Sequence, residues 1–325
     1  MTLKDVHILQ IGPYGVPDTE AEMEHIFTLH RWWELEDTEK FLKEMGPLIR
    51  GIAGRPYPWK QDPEFLAKLP NLEISTVFGA GYDSVHMPTA LKRGIMVTNT
   101  PGAAADETAD GAMALLLAAV RDFRRADIFI RSGAWQKGRY PLTSSLRGRT
   151  VGILGLGRIG KAIARRCEGF GLKIVYHGRT HQTDVPYTYY PSLLEMAKNC
   201  DVLMIAAPGT PETDKTVNAE VLDALGPKGI VVNVGRGTIV DEPELIHALK
   251  TQAILAAGLD VTANEPNVSQ ELLALENAYV TPHLAGASVH AWKVMADMVL
   301  ENLISWFSGK SATHPVPEMS QRVVK

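Results

Sequence analysis

The chain has 325 residues, of which 45% are hydrophobic and 22% are charged, and its formal net charge is −4. This length exceeds what one hydrophobic core usually covers, so we expect two domains of ordinary size. No apolar run is long enough to predict a transmembrane helix, and no basic tract is present that could neutralise a phosphate backbone. The composition therefore predicts a globular protein with neither a membrane nor a nucleic acid as its partner.

The first residues and the cysteines indicate the compartment. The sequence MTLKDVHILQ lacks the basic region and the apolar core of a secretory signal peptide. Cys167 and Cys200 are too few for a disulfide framework and do not form a metal-ligand pattern. We therefore expect a cytoplasmic protein without a metal site.

Strand-like runs alternate with helical segments over the first hundred residues. Strands are predicted over 6–12, 48–54, 72–79 and 95–100, and helices around 19–29, 36–45 and 63–68. The alternation predicts an open α/β domain whose binding loops follow the carboxyl ends of parallel strands. Loops 51–57 and 78–83 are therefore candidate ligand contacts. The second, FGAGYD, is either a plain turn or a loop whose backbone N–H groups face a small anion.

The sequence Asn-Thr-Pro-Gly at 99–102 interrupts this alternation and indicates a domain crossover. The segment after it predicts one long helix over 106–127, and its apolar middle, AMALLLAAV, predicts burial between domains or subunits. A loop-rich arm follows with Trp135 and Tyr140 among basic and turn residues. We expect this arm to pack on a partner subunit.

The stretch VGILGLGRIG, residues 151–160, has the pattern of a dinucleotide-binding turn. A short buried strand is predicted first, then Gly155, Gly157 and Gly160 at G-x-G-x-x-G spacing, and then a helix in KAIARRCEGFG. The first glycine permits a tight turn, the second lets backbone N–H groups approach a pyrophosphate, and the third lets the helix pack closely on the strand. The helix N-terminus attracts the anion.

Further strands and helices after this turn predict a doubly wound sheet of about six strands. The strands are expected at 173–178, 201–208, 229–235, 253–260 and 278–283, and the helices near 192–197, 219–225 and 242–250. A final helix over 288–307 is expected to return to the first domain. The predicted fold class is α/β, with two Rossmann-like doubly wound parallel-sheet domains, the first discontinuous, and a cleft between them. The predicted domains are a flavodoxin-like substrate-binding domain, 1–99 plus 289–325, and a dinucleotide-binding Rossmann domain, 100–288.

The residues after the second strand of this sheet indicate the cofactor. They read Tyr-His-Gly-Arg-Thr and lack the acidic residue that would bind the ribose 2′-hydroxyl of NAD. Arg179 can bind a 2′-phosphate through charge-assisted hydrogen bonds, Thr180 can add a hydroxyl, and Arg158 can join them around the anion. The sequence therefore favours NADPH, with NADH still possible, unless Arg179 is only a solvated loop residue.

Three polar residues follow strands of the second sheet: Arg236 in NVGRG, Glu265 in LDVTANEP and His283 in TPH. Because the carboxyl ends of strands in one open sheet face one crevice, these side chains can converge beside a nicotinamide. Hydride transfer to a 2-keto acid makes an alkoxide, which a histidine kept protonated by a carboxylate can protonate. An arginine can bind the substrate carboxylate and polarise the keto oxygen. Taken singly, each residue has a structural explanation, as a cap, a surface acid or a core histidine.

The run VLDALGPKGIVVNVGRGTIVDEPELIHAL, with AAGLDVTANEP, YVTPHLAGAS and GLGRIG, resembles the D-isomer-specific 2-hydroxyacid dehydrogenases over nearly the whole chain. The resemblance implies that Arg236 binds substrate, that His283 is the acid/base and that Glu265 is its carboxylate partner. It also implies that residues 155–159 hold the pyrophosphate, that Asp260 lies near the nicotinamide and that residues 77–81 bind the substrate carboxylate through backbone groups. Members of this family are usually homodimers joined through their cofactor domains.

The expected contacts lie in the glycine turn and at the ends of strands. The expected cofactor-binding residues are Gly155, Leu156, Gly157, Arg158, Ile159, Gly160, Gly178, Arg179, Thr180, Ala207, Pro208, Thr213, Val234, Gly235, Arg236, Asp260, His283 and Ala285. The expected substrate-binding residues are Val77, Phe78, Gly79, Arg236 and His283. One departure is the sequence Leu-Ala-Gly at 284–286, where the family commonly has Ile-Gly-Ser, so a hydroxyl near the nicotinamide carboxamide is absent.

The HGRT segment resembles the NADPH-using branch of the family, which includes glyoxylate/hydroxypyruvate reductases and hydroxyphenylpyruvate reductases. The expected function is NADPH-dependent reduction of a small 2-keto acid to the D-2-hydroxy acid, with His283 as proton donor. Alternatives are a phenylpyruvate-type reductase and a non-catalytic, dinucleotide-sensing corepressor of the same superfamily. Formate dehydrogenases resemble the chain but pair their histidine with glutamine, and phosphoglycerate dehydrogenases normally carry an acidic residue after the second strand.

Overall fold

The computed structural model describes residues 2–55 and 59–320. Its internal contacts divide the chain into two compact units, Met1–Ala104 with Ser288–Lys325, and Ala105–Ala287. The candidate loop 51–57 is described only as far as Arg55, because its last two residues lie outside the described ranges, as do the last five residues of the predicted first domain.

The first unit is built on a parallel sheet of five strands in the order β2-β1-β3-β4-β5. The strands are β1 (His7–Ile11), β2 (Thr28–Arg31), β3 (Ile49–Gly54), β4 (Ile74–Val77) and β5 (Met96–Thr98). The helices between them are α1 (Pro17–Ile26), α2 (Thr38–Met45), α3 (Pro63–Ala67) and α4 (Met87–Arg93). The inner strands are buried because helices cover both faces of a parallel sheet.

Strand β2 is the main error of the sequence prediction in this unit. The predicted helix over 19–29 ends at Ile26, and residues 28–31 pair in parallel with β1, so that Thr28 lies opposite His7. All four residues of β2 are only half-buried, because β2 lies at the edge of the sheet and has a neighbouring strand on one side only. The short sequence TLHR lacks a clear alternation, so only the pairing with β1 makes it a strand.

The second unit contains a parallel sheet of seven strands in the order β12-β11-β10-β9-β6-β7-β8. The strands are β6 (Thr150–Leu154), β7 (Lys173–His177), β8 (Thr188–Tyr189), β9 (Val202–Ile205), β10 (Ile230–Asn233), β11 (Ala256–Leu259) and β12 (Ala278–Val280). The helices are α5 (Ala105–Arg121), α6 (Phe123–Arg131), α7 (Arg158–Gly169), α8 (Leu193–Ala197), α9 (Ala219–Leu225), α10 (Glu242–Lys250) and α11 (Gln270–Leu273). The strand order reverses between β6 and β9, which is the switch point where an open α/β sheet binds its ligand. The chain then re-enters the first unit as α12 (Val289–Phe307).

Two predictions about the second unit are wrong in detail. The sheet has a seventh strand, the two-residue edge strand β8, and the predicted helix over 106–127 is two helices, α5 and α6. Asp122 separates them in a left-handed conformation with φ of 53°. Its carboxylate accepts hydrogen bonds from the hydroxyls of Tyr140 (2.5 Å) and Tyr279 (2.6 Å), which fixes the break.

The apolar middle of α5 was predicted to be buried between domains or subunits, but its buried residues belong to the core of its own unit. Its buried residues join the core cluster that includes β6, β10 and α7. Helix α6, by contrast, has no buried residue. No helix in the described part of the chain is long and apolar enough to cross a membrane.

Cys167 and Cys200 are both free and buried. Burial raises the pKa of each thiol to about 12, so neither is a ready nucleophile or metal ligand at neutral pH. Within residues 2–55 and 59–320, no group of three metal-ligating side chains comes together.

Candidate active site

The glycine turn has the geometry that a dinucleotide pyrophosphate requires. Gly155 has a φ of +92°, and a Cβ atom there would lie 2.7 Å from the backbone of Ala207. A Cβ atom at Gly160 would clash with the carbonyl oxygen of Gly155, so helix α7 packs directly on the residue that follows β6. At Gly157, which caps α7, no described residue other than its two chain neighbours has an atom within 4 Å of the position of a Cβ. The turn therefore leaves open space in front of the N-terminus of α7, which begins with Arg158 and Ile159.

The loop after β7, residues 178–184, is fastened to this turn by contacts that the sequence analysis did not identify. The side-chain amide of Gln182 donates to the carbonyl oxygen of Leu156 at 2.9 Å, and its backbone N–H donates to the hydroxyl of Tyr176 at 2.7 Å. Lys161 of α7 forms an ion pair of 2.9 Å with Asp184. The loop is therefore held beside the glycine turn, with Arg179 and Thr180 exposed on it.

Other expected cofactor residues are arranged around the end of β9. The hydroxyl of Thr213 donates to the carbonyl oxygen of Pro208 at 2.8 Å and accepts from the N–H of Thr210 at 2.8 Å, which closes this loop. Glu212 is an exposed residue of this loop. A hydrogen bond from Thr210 and the positive charge of Arg179 both lower the pKa of Glu212, so Arg179 lies near enough to affect it. Ala207 and Val234 are buried, so mainly their backbone groups could contact a ligand.

Arg236 follows β10 in a turn that a buried side chain holds. The amide of Asn233 donates to the carbonyl oxygen of Arg236 at 2.9 Å, and its carbonyl oxygen accepts the N–H of Gly235 at 3.0 Å. The half-buried guanidinium of Arg236 donates to the carbonyl oxygen of Gly235 at 2.8 Å. Asn233 thus fixes the backbone of the turn from which the Arg236 side chain extends.

Glu265 and His283 form the central pair of the site. Nδ1 of His283 lies 2.9 Å from Oε2 of Glu265, while Oε1 of Glu265 accepts the backbone N–H of Thr262 at 3.1 Å. Burial alone would raise the pKa of Glu265, but the hydrogen bond and charge of His283, the Thr262 N–H and the charge of Arg236 together lower it. The charge of Arg236 thus acts at Glu265, and Arg236, Glu265 and His283 belong to one site.

The protonation of this pair follows from the donor and acceptor chemistry. A carboxylate only accepts hydrogen bonds, so Nδ1 of His283 carries a hydrogen. This leaves Nε2 as the atom that can exchange a proton with a substrate. The His283 side chain is 45% exposed and that of Glu265 only 19%. The imidazole is thus accessible, while the carboxylate that orients it is largely shielded from water.

The backbone at His283 is itself in a left-handed conformation, with φ of 53°, that non-glycine residues seldom adopt. The N–H of His283 donates to the carbonyl oxygen of Asp260 at 2.9 Å. The buried carboxylate of Asp260 accepts three more hydrogen bonds from the same loop, from Oγ1 of Thr281 (2.6 Å) and from the N–H groups of Leu284 (2.8 Å) and Ala285 (2.9 Å). Such a network can maintain a conformation that costs about 1 kcal/mol or more.

Ala285 of this loop packs on helix α5. A Cβ atom on Gly111 would lie 2.6 Å from Cβ of Ala285, so the helix touches the loop at this residue. The sequence analysis missed Gly111, Asn233 and the fastening role of Asp260. The only available signal was that Asn233 and Asp260 are polar residues at the ends of buried strands.

The substrate loop of the first unit was predicted to bind through Val77, Phe78 and Gly79. The N–H of Phe78 donates to the carbonyl oxygen of Gly54 at 2.8 Å, and the N–H of Gly79 lies 3.0 Å from both Oγ1 of Thr100 and the carbonyl oxygen of Val77. In the described part of the chain, the next two amides, of residues 80 and 81, have no intramolecular acceptor. The backbone N–H groups of residues 80 and 81 are therefore the ones in this loop that are available to bind an anion.

Comparison with known proteins identifies the family. The family model described as "D-isomer specific 2-hydroxyacid dehydrogenase, NAD binding domain" matches residues 113–285. Hydroxyphenylpyruvate reductase of Plectranthus scutellarioides is 43% identical over 297 residues, which cover 91% of this chain and 95% of that protein. Glyoxylate/hydroxypyruvate reductase A of Arabidopsis thaliana is 42% identical over 297 residues, with coverage of 91% and 95%.

Solved structures agree with this assignment. The NADPH-dependent glyoxylate/hydroxypyruvate reductase of Sinorhizobium meliloti, crystallised with NADP and malonate, has a TM-score of 0.91 and 45% sequence identity, and 97% of each chain is covered. The chain belongs to the D-isomer-specific 2-hydroxyacid dehydrogenase family and is an NAD(P)-dependent oxidoreductase. The predicted family and the predicted α/β class with two parallel-sheet units are confirmed.

Proposed function

We propose that this enzyme reduces a small 2-keto acid, of the glyoxylate or hydroxypyruvate type, to the D-2-hydroxy acid with NADPH, and that His283 is the proton donor. The observation that carries the proposal is the 2.9 Å contact between Nδ1 of His283 and Glu265, on the sheet that also bears the glycine turn. The names of similar proteins, glyoxylate/hydroxypyruvate reductases among them, support this substrate class.

Three residues of the chain have separate roles in this reaction. Arg236 binds the substrate carboxylate through its planar fork and polarises the keto oxygen. Nε2 of His283 gives its proton to the oxygen as negative charge develops there, which typically contributes 10²- to 10⁴-fold in rate. Glu265 orients the imidazole and stabilises its charged form. When bound, the nicotinamide supplies the hydride.

The cofactor preference is proposed from the loop after β7. Arg179 and Thr180 are exposed there, Arg158 is exposed at the start of α7, and the nearest carboxylate along the loop, Asp184, is paired with Lys161. Two cations and a hydroxyl suit a 2′-phosphate. The Sinorhizobium meliloti reductase, crystallised with NADP, supports the same preference.

We further propose that the second unit binds the dinucleotide and the first unit binds the substrate. The full sets of expected cofactor and substrate residues remain part of this proposal, including Asp260 as a cofactor neighbour in addition to its role in the His283 loop. We also place the enzyme in the cytoplasm, which the two free, buried thiols support.

A homodimer through the second unit completes the proposal. Helix α6 and the arm after it expose several large apolar side chains, each about half exposed or more. We propose that a second copy of the chain covers them. They are Phe123, Ile128, Ile130, Trp135 and Leu142. Light scattering should give a dimer for the wild type and a monomer for Ile128→Glu. The control Phe170→Glu, an exposed phenylalanine elsewhere on this unit, should stay dimeric; a monomeric wild type at micromolar concentration would refute the dimer.

The experiment that tests the function is a substrate panel. The purified protein is given NADPH with glyoxylate, hydroxypyruvate, pyruvate or hydroxyphenylpyruvate, and the loss of NADPH absorbance is followed. We expect the highest kcat/KM with glyoxylate or hydroxypyruvate. Highest activity with hydroxyphenylpyruvate would favour the second candidate, which the Plectranthus scutellarioides relative supports. Inertness towards the whole panel, with NADPH still bound, would favour the dinucleotide-sensing alternative.

A further inference from the structure

Arg55 is a half-buried arginine of the first unit that pairs with no carboxylate among the described residues. Arg31 pairs with Glu24, and Arg50 pairs with Glu73. The guanidinium of Arg55 makes only one hydrogen bond to the described protein, to the carbonyl oxygen of Pro13 at a long 3.3 Å. Burial lowers the pKa of Arg55, and the neighbouring Tyr14 partly offsets this shift.

The side chain is nevertheless held in a defined place. The guanidinium carbon of Arg55 lies 5.1 Å from the centre of a Trp292 ring, a cation–π contact. Gly12, with φ of +83°, makes room for it, because a Cβ atom there would lie 3.1 Å from Cδ of Arg55. The backbone N–H of Arg55 donates to the carbonyl oxygen of Ile11 at 2.8 Å. The arginine is thus a half-buried cation that is positioned in advance.

Its place in the sheet brings it beside the candidate substrate loop. Gly54, the residue before it, pairs with Val77 at the end of β4, and its carbonyl oxygen accepts the N–H of Phe78. Phe78 also packs edge-on against Trp292, with ring centroids 5.7 Å apart. Arg55 and the start of the substrate loop therefore contact the same indole at the carboxyl edge of one sheet, where open α/β sheets bind ligands.

We propose that Arg55 recognises a second carboxylate, at the end of the substrate remote from the keto acid, so that the enzyme favours 2-keto dicarboxylates over 2-keto monocarboxylates of equal size. This inference rests on the proposed function, in which the loop at residues 80 and 81 of the same unit is assigned to the first carboxylate. A planar guanidinium on an aromatic face is suited to bind a carboxylate through two parallel hydrogen bonds.

The test compares kcat/KM for three substrates: 2-ketoglutarate, glyoxylate, and 5-methyl-2-oxohexanoate. The last is an isostere of 2-ketoglutarate in which an uncharged isopropyl group replaces the distal carboxylate. The wild type should prefer 2-ketoglutarate to the isostere, and salt should weaken the preference by screening the pair. Arg55→Met keeps much of the alkyl stem over Trp292 and should lower kcat/KM for 2-ketoglutarate about tenfold, a loss of about 1.4 kcal/mol in transition-state binding. The value for glyoxylate should change less than about twofold.

Two further variants control this result. Arg55→Lys keeps the charge without the fork and should give an intermediate preference. Arg50→Met removes another arginine that lies over an aromatic ring, Phe307, but is paired with Glu73, and should leave the preference unchanged. Because the readout is a ratio between substrates, a partly destabilised variant still gives an answer.

The outcomes that overturn the proposal are distinct. A wild type with no preference for 2-ketoglutarate over its isostere contradicts it. An Arg55→Met enzyme whose kcat/KM falls equally for all three substrates also contradicts it, because Arg55 would then bind the first carboxylate. Both results leave the reductase function intact. Inertness of the wild type towards all three substrates contradicts the proposed function itself, and this assignment with it.

Discussion

The imidazole of His283 and the carboxylate of Glu265 lie 2.9 Å apart, although eighteen positions separate them in the chain. Each is on a loop that follows a strand at the same edge of the second sheet, β12 for His283 and β11 for Glu265. The pKa of Glu265 is lowered, so its carboxylate is charged throughout the neutral range. The pair can therefore stabilise a positive charge on the imidazole, as proton donation requires.

Replacing Glu265 with glutamine should change the pH dependence of reduction. In the wild type the Glu265 carboxylate is charged above the usual glutamate pKa of about 4.3, and it loses its charge only as pH falls through the lowered value. Glutamine is neutral at every pH and cannot stabilise a positive imidazole, so kcat/KM near neutral pH should fall about tenfold or more. The variant should also lose the acidic limb that protonation of Glu265 causes. A Glu265→Gln enzyme with the wild-type kcat/KM and the wild-type pH profile would show that the pair does not act in catalysis.

Asp260 is predicted to act by holding the His283 loop. In Asp260→Asn, one oxygen can still accept from Thr281 and Leu284, but the new NH₂ group faces the N–H of Ala285. A buried donor without an acceptor costs about 1–3 kcal/mol. We expect a lower melting temperature and a fall in kcat of about tenfold or more, with the KM for NADPH changing less.

The matched control is Asp201→Asn. Asp201 caps the N–H of Thr150 at 2.8 Å, but it lies at the start of β9, at the opposite edge of the same sheet. This variant should lose stability without a comparable loss of kcat. If Asp260→Asn raises the KM for NADPH and leaves kcat unchanged, its main role is cofactor contact and not the positioning of His283.

Arg179 is predicted to discriminate between the two cofactors. Arg179→Gln removes a cation that would bind the 2′-phosphate, so kcat/KM with NADPH should fall at least tenfold while that with NADH changes about twofold or less. Arg165→Gln, which removes an exposed arginine farther along α7 that pairs with Asp106, is the control and should leave both values unchanged. Equal losses with the two cofactors would mean that Arg179 does not contact the 2′-phosphate.

Local patterns in the sequence are enough to predict the inner strands, the glycine turn and the three polar residues at strand ends. Buried strands of a parallel sheet are continuous apolar runs, and Arg236, Glu265 and His283 are conspicuous because each follows one. The edge strands β2 and β8 and the break at Asp122 were not predictable, because pairing and hydrogen bonds with distant residues determine them.

The positioning residues could not be predicted for a similar reason. Asn233 and Asp260 act through backbone groups of neighbouring loops, and Gly111 acts by having no side chain where Ala285 approaches. None of these contacts leaves a motif in the sequence. Arg55 is a comparable case, since its lack of a carboxylate partner among the described residues is visible only in three dimensions.

The most direct test of the account is the reduction of glyoxylate with NADPH by the wild type and by His283→Ala, with NADPH affinity measured on both by fluorescence titration. Loss of the proton donor should lower kcat by 10²-fold or more. The dissociation constant for NADPH should stay within about threefold, because the glycine turn and the loop after β7 are unchanged. A His283→Ala enzyme that binds NADPH normally and still turns over glyoxylate at near the wild-type rate would contradict the central claim.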